Sequence, residues 1–254
     1  MEVGLLSNMK NVIGLIPSRL GSKRLPGKAL AKISEIPVIV HVAKRAQLSK
    51  VLGKVVVCTD SDEIANTCRD YDIEVTLTSS DMRNGTERIA SVIKNYNYEY
   101  IVDIQGDEPL VNPLHIDFIA ESISRNLNKE DIIIPTLEIP YSAPETIVRV
   151  QSSLSGRIMT LTRANLPHRY SVPISTVQKH LSVIGFTKSA LLKYSQLEPT
   201  PNEQSEDIEL LRALENDMSL YALPVEGNSF SIDVQDDLLK ARVAMRTDKF
   251  FGKY

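Results

Sequence analysis

Four cations, Arg19, Lys23, Arg24 and Lys28, are spread through a short loop that also holds Gly21, Gly27 and Ser22. That is the composition of a phosphate cradle. Backbone N–H groups and a small hydroxyl donate to the oxygens, and the side chains neutralise charge. The loop follows an apolar run, Asn11 to Pro17, of the kind seen in a strand buried on both faces. The G-x-x-x-x-G-K-[ST] spacing of a nucleoside-triphosphatase loop fails between Leu25 and Ala29, and G-x-G-x-x-G is absent. Much further on, Tyr100 to Ile104 reads as another strand and runs into Gln105-Gly106-Asp107-Glu108-Pro109. Ligands of open α/β sheets bind beyond the carboxyl ends of the strands. If these two strands are neighbours, Asp107 stands opposite the basic loop, where magnesium could bridge its carboxylate and a nucleotide phosphate. Asp and Pro also open ordinary turns, and the residues by themselves leave both readings standing.

The elements around these residues alternate. Val55 to Cys58, Ile73 to Leu77 and Ile132 to Ile134 read as strands, and Thr59-Asp60-Ser61 as an N-cap cluster. Ile64, Cys68 and Tyr71 share one helical face; Ile116, Ile119, Ala120 and Ile123 share another. Strand–helix alternation predicts an α/β, Rossmann-like, mostly parallel sheet with helices on both faces. From about residue 140 the texture changes to short strands around the polar turn Ser152 to Gly156, then a proline-bearing stretch. His180 to Phe186 and Leu220 to Pro224 are strand-like; Ile208, Leu211 and Leu214, then Leu238, Ala241 and Met245, suggest helices. The expected organisation is one domain over residues 1–254, with a small mixed insertion at about 140–180.

The motifs are more specific than their composition. Pro17-Ser18-Arg19, then Gly21-Ser22-Lys23-Arg24-Leu25-Pro26-Gly27-Lys28, resembles the nucleotide loop of the sugar-acid cytidylyltransferases, above all those acting on 3-deoxy-manno-octulosonate (Kdo). The resemblance continues through most of the chain. Gln105 to Pro109 matches the family's Q-G-D-E-P, which implies that Asp107 binds magnesium and Gln105 reaches ribose or sugar. Asn84-Gly85-Thr86-Glu87-Arg88 is similar to S-G-T-E-R and implies nucleotide contacts from Gly85, Thr86 and Arg88, although these residues would also start any helix. Ser231 to Leu238 resembles G-V-D-T-P-E-D-L and implies Asp233 as the second metal carboxylate, where the residues alone equally suggest an N-cap. Thr162-Arg163, His180-Leu181 and residues 203–212 resemble the family's sugar segments, implying Arg163, His180 and Glu209 as sugar contacts.

Two sugar positions depart from the family. Ile184 stands where it has Tyr, and Leu210 where it has Gln. An aliphatic group opposite a buried hydroxyl costs roughly 1–3 kcal/mol, so the expectation is an acceptor other than plain Kdo, with an amino, acyl or deoxy group. The implied reaction couples CTP to a 2-keto-3-deoxy sugar acid and releases pyrophosphate. Arg19, Lys28 and Asp107 would carry it, and Pro17, Ser18, Gly21, Ser22, Lys23, Arg24 and Gln105 would help hold the nucleotide. A sialic-acid-type cytidylyltransferase, another nucleotidyltransferase and a non-catalytic nucleotide-sugar binder are the alternatives; the carboxylate pair Asp107 and Asp233 argues against the last.

Bulk properties narrow the class. A net charge of −3 over 254 residues argues against a general nucleic-acid or anionic-membrane binder. Cys58 and Cys68 have no metal-ligand spacing and read as buried thiols of a reducing compartment. No eighteen-residue apolar span and no secretion signal in residues 1–10 are visible, so a cytoplasmic protein is expected. The family resemblance implies a homodimer, with residues 146–162 as the expected contact. His41, His115 and His168 have no assigned role.

Overall fold

The apolar run Val12 to Pro17 becomes strand β1 (Val12–Ser18), buried at every position. A strand with no exposed face needs partners on both edges and cover on both sides, and the chain supplies them in order. The computed structural model describes residues 11–22, 24–125, 130–227 and 229–254. After β1 come a 3-10 turn (Lys28–Leu30), the short antiparallel pair β2 (Lys32–Ile33) and β3 (Ile36–Pro37), and helix α1 (Val38–Gln47). The alternation then runs β4 (Lys54–Thr59), α2 (Asp62–Arg69), β5 (Val75–Leu77), α3 (Gly85–Ile93), β6 (Tyr100–Ile104) and α4 (Pro113–Arg125). β1 lies between β4 and β6, parallel to both, with β5 parallel outside β4. The basic loop and Gln105-Gly106-Asp107 therefore leave the same end of adjacent strands.

Side-chain alternation divides the core into two layers. Ile13 and Leu15 pack with Ile89 and Ile93 of α3, whereas Val12 and Ile16 pack with α1, α2 and α4 through Ile39, Cys68 and Ile116. The second half continues the same sheet: β7 (Ile132–Pro140), β8 (Arg149–Ser152), β9 (Ile158–Thr162), β10 (Thr176–His180) and β11 (Val183–Thr187). Then come α5 (Lys188–Tyr194), α6 (Pro201–Glu206), α7 (Leu211–Glu215), β12 (Leu220–Val225) and α8 (Gln235–Met245). The strand order is β5-β4-β1-β6-β11-β7-β10-β8-β9, with β12 parallel to β7. The nucleotide-side half is parallel, and antiparallel pairing begins where β11 joins β6.

Two expected elements are broken, and both breaks face the carboxyl end of β6. Residues 180–186 form the end of β10 and most of β11 rather than one strand. Between them Ser182 turns its carbonyl to accept from the Gln105 amide at 3.1 Å. Residues 203–212 do not make one helix, because Asp207 adopts a left-handed conformation (φ 52°) that separates α6 from α7.

Gly106 is where the two strand ends approach most closely. A Cβ there would stand 2.7 Å from the Pro17 carbonyl oxygen and 3.1 Å from Ile39 Cδ1. The first of these is backbone at the end of a buried strand and cannot give way cheaply. Gly106→Ala is expected to lower stability by about 1–3 kcal/mol. A urea melt checks this: the midpoint falls while the slope stays constant. An unchanged midpoint means that the strand ends have room to separate.

Candidate active site

A cleft of about 670 Å³ opens beyond β1 and β6. Its wall on the β1 side is the basic loop, with Pro17, Ser18, Arg19, Ser22, Arg24 and Lys28; Gln105, Gly106 and Asp107 form its floor. The opposite side is the start of α3, from Met82 to Gly85 with Arg88, together with Asp207 and Glu209, and Asp233 closes one end.

Lys28 is delivered by Gly27, whose left-handed backbone (φ 69°) turns the loop into the 3-10 turn. Its ammonium donates to Asp107 Oδ2 at 2.6 Å and to the Ile232 carbonyl at 2.9 Å, and lies 3.6 Å from Asp233 Oδ1. Arg24 donates to Asp233 Oδ1 at 2.8 Å. The Ile232 amide donates to the Asp107 carbonyl at 2.9 Å, which ties the segment before α8 to the end of β6. Asp233 is not the cap of α8. Asp237 accepts from the amides of Asp233 and Val234 at 3.2 Å, which frees the Asp233 carboxylate for the cleft.

Asn84 explains its own place at the start of α3. Its carbonyl oxygen accepts from the Glu87 amide at 2.8 Å, and its NH2 donates to the Tyr194 hydroxyl at 3.1 Å; that hydroxyl donates to the Glu209 carbonyl at 3.1 Å. A serine could cap, but could not also make the bridge to Tyr194. The exposed helix start points N–H groups at the cleft.

An ion network fixes the far wall. Arg212, 2% exposed, donates to Glu87 Oε1 at 2.7 Å and to both oxygens of Glu203 at 2.5 and 2.8 Å, and Arg83 donates to Glu87 at 2.7 Å. These bonds join α3 to α6 and α7 across the Asp207 turn. Arg212→Met strands two partly buried carboxylates and is expected to cost roughly 3–5 kcal/mol. Chemical denaturation measures it; a loss below 1 kcal/mol would mean that Arg83 and solvent compensate.

Burial raises the carboxyl pKa of three acids near the floor. Asp103, fully buried, is pushed well up first by loss of water and then by the Glu209 charge, opposed by a hydrogen bond from Gln105. Glu108 is raised by burial against a 2.7 Å bond from the Ser229 hydroxyl. Glu209 is raised by burial, with Thr86 opposing.

Other predicted residues lie elsewhere. Lys23 falls outside the described residues. Gly21 does not line the cleft, and Thr86 is wholly buried beneath it. Arg88 reaches the cleft but is spent on Asp60 at 2.9 Å and on the Thr78 hydroxyl. Arg163 does not present its guanidinium to the cleft: it donates to the carbonyls of Thr146, Glu206 and Asp207 at 2.6, 2.7 and 3.1 Å, bracing the left-handed turn. His180 stays neutral at pH 7, because burial lowers its pKa to about 4; its Nε2 has no partner, and it lies off the cleft wall.

Ile184 and Leu210 also need correcting. Both are at most 2% exposed, inside the core layer that holds Ile89 and Tyr194. Neither faces a sugar, so the argument that they disfavour plain Kdo loses its footing. Met82, Arg83, Asn84 and Asp207 are wall residues that the motifs did not assign. The Arg83–Glu87 spacing of four was a visible signal, whereas Asp207 had none once residues 203–212 were read as one helix.

Among the described residues no group of three or more His, Cys, Asp or Glu converges, and no helix is long and apolar enough to cross a membrane. The sequence pattern of the cytidylyltransferase family matches residues 13–220. The 3-deoxy-manno-octulosonate cytidylyltransferase of Acidobacterium capsulatum is 31% identical over 233 residues, covering 90% of this chain and 94% of that protein. That of Chlorobium phaeobacteroides is 33% identical over 245 residues, covering 93% and 98%. Among solved structures, CMP:2-keto-3-deoxy-manno-octonic acid synthetase complexed with CTP superimposes with a TM-score of 0.88 at 25% identity, over 93% of this chain and 99% of that one. A cytidylyltransferase from Leptospira borgpetersenii (TM-score 0.65, 19% identity, 93% and 87% coverage) shares the fold.

Proposed function

The chain belongs to the cytidylyltransferase family, and on that premise we propose that it couples CTP to a 2-keto-3-deoxy sugar acid of the Kdo type, giving the CMP-sugar and pyrophosphate. The observation that carries the reading is Lys28 held between Asp107 and Asp233 at the mouth of a cleft floored by two parallel strand ends. The attacking group is the anomeric hydroxyl of the acceptor, which displaces pyrophosphate in line at the α-phosphorus. The chain has little covalent chemistry to perform, so its work is positioning and charge neutralisation.

Lys28, Arg19 and Arg24 take the triphosphate, and Ser18 and Ser22 supply hydroxyls beside them. The N–H groups at the start of α3 face the nucleotide from the opposite side. Asp107 and Asp233 would hold magnesium. In support, one ammonium already reaches both carboxylates, so the two converge on a point suited to a hard cation, whose remaining positions phosphate oxygens and water fill. When bound, the ion supplies charge stabilisation at the α-phosphate.

A homodimer through the β8–β9 hairpin is part of the same proposal. Leu154 in its turn and Met159 on its edge strand are exposed apolar groups that a second copy would cover. A cytoplasmic location is supported by Cys58 and Cys68, both buried and free.

Pyrophosphate release tests the function directly, with CTP, UTP, ATP and GTP each offered with Kdo and with N-acetylneuraminic acid. Release with CTP and Kdo is the expected result. Release with neuraminic acid alone would move the chain to the sialic-acid branch. CTP binding without release from any acceptor would leave a nucleotide-sugar binder.

A further inference from the structure

We propose that the acceptor end of this cleft is built for a sugar acid that carries a protonated amine in place of one hydroxyl. The inference rests on the cytidylyltransferase reading above and adds to it the class of the acceptor. It comes from what the cleft wall can offer a ligand.

Gln105 lines the cleft, but its NH2 is spent: it donates to both Asp103 oxygens, at 3.0 and 2.9 Å. The reverse amide orientation would set Oε1 against a carboxylate, so Asp103 decides which atom Gln105 has left for a ligand. That atom is Oε1, an acceptor. Glu209 lines the cleft as well, and its carboxylate leans on Thr86 at the start of α3. Neither Glu209 Oε2 nor the wholly buried Thr86 hydroxyl completes a hydrogen bond, and both atoms are out of solvent contact. Gln105 and Glu209 thus present acceptors only.

The charges point the same way. Among the described residues neither Asp103 nor Glu209 has an ion pair. The cations nearby are committed: Arg212 to Glu87 and Glu203, Arg88 to Asp60, and Arg163 to three carbonyls. Two buried acids without a counter-charge are expensive to keep ionised. A hydroxyl on the acceptor brings one hydrogen to donate and no charge. A primary ammonium brings three and supplies the missing cation. Asp103 is then a positioning residue, acting on the ligand through Gln105.

The test compares kcat/KM for pyrophosphate release with CTP and a panel of acceptors at pH 7. The panel holds unmodified Kdo, its analogues with a single hydroxyl replaced by a primary amine, and the N-acetylated form of each. One amine analogue is expected to exceed Kdo by at least about tenfold, and its N-acetylated form, which has no positive charge, to lose that advantage. In Asp103→Asn, and separately in Glu209→Gln, the ratio of amine analogue to Kdo is expected to fall at least about tenfold; loss of packing alone would lower both substrates together and leave the ratio in place. Kdo matching or exceeding every amine analogue would overturn the inference and leave the transferase reading intact, as would a preference that survives N-acetylation. No release from any acceptor would overturn the transferase reading and this inference with it.

Discussion

Asp107→Asn lowers kcat for pyrophosphate release by about a thousandfold or more, whereas the urea midpoint moves little. The substitution keeps the shape of the side chain and leaves the backbone bond from Ile232 to the residue 107 carbonyl in place. Stability changes by about 1 kcal/mol at most, because the Lys28–Asp107 pair is partly solvated, at 17% and 24% exposure. Catalysis suffers far more. A neutral amide is a poor ligand for a hard cation, and it no longer restrains the Lys28 ammonium. Losing one preorganised charge at a phosphoryl centre removes roughly 10²–10³ in rate, and here metal and lysine are both affected. The check is single-turnover release at saturating CTP over a wide range of magnesium, with circular dichroism and urea melts on the same preparation. Recovery of wild-type turnover at high magnesium would show that Asp107 serves affinity alone; near-normal turnover at every concentration would remove it from the site.

The neighbouring ends of β1 and β6 could be read in the chain because both strands are uninterrupted apolar runs, and a strand buried on both faces has no other composition. Their loops were legible for the same reason: a run of Arg, Lys and Gly after Pro17, and Gly-Asp after Gln105, break the pattern abruptly. What could not be read was direction. Asp233 serves equally well as a helix cap or a cleft carboxylate, and only the backbone shows Asp237 taking the capping role. Ile184 and Leu210 were placed by correspondence with sugar-binding positions, but correspondence fixes a position along the chain and not the face a side chain takes. On β11, Ile184 pairs with Asp103 and turns into the core. Arg163 failed for a different reason. A left-handed Asp207, unforeseen in a stretch read as helix, gathers three carbonyls that use up its guanidinium.

The second large effect belongs to Lys28, and its signature is a pair of changes with opposite sign. In the ligand-free protein the Lys28 ammonium occupies the space between the two carboxylates, donating to one and standing 3.6 Å from the other. A divalent cation arriving there competes with it. Lys28→Met removes the competitor, so magnesium measured by calorimetry without nucleotide is expected to bind about tenfold more tightly. The same variant loses the charge that would meet the phosphates, and kcat is expected to fall about a thousandfold. Lys28→Arg does not restore the rate, because a planar fork on this short turn cannot reproduce a point charge at the same spot. A lysine that merely braced the loop would weaken metal binding and turnover together when removed. Tighter magnesium with slower turnover distinguishes an ammonium that yields its place to the metal and moves onto the phosphates. Weaker magnesium binding in Lys28→Met would instead show that Lys28 holds the carboxylates in place for the ion.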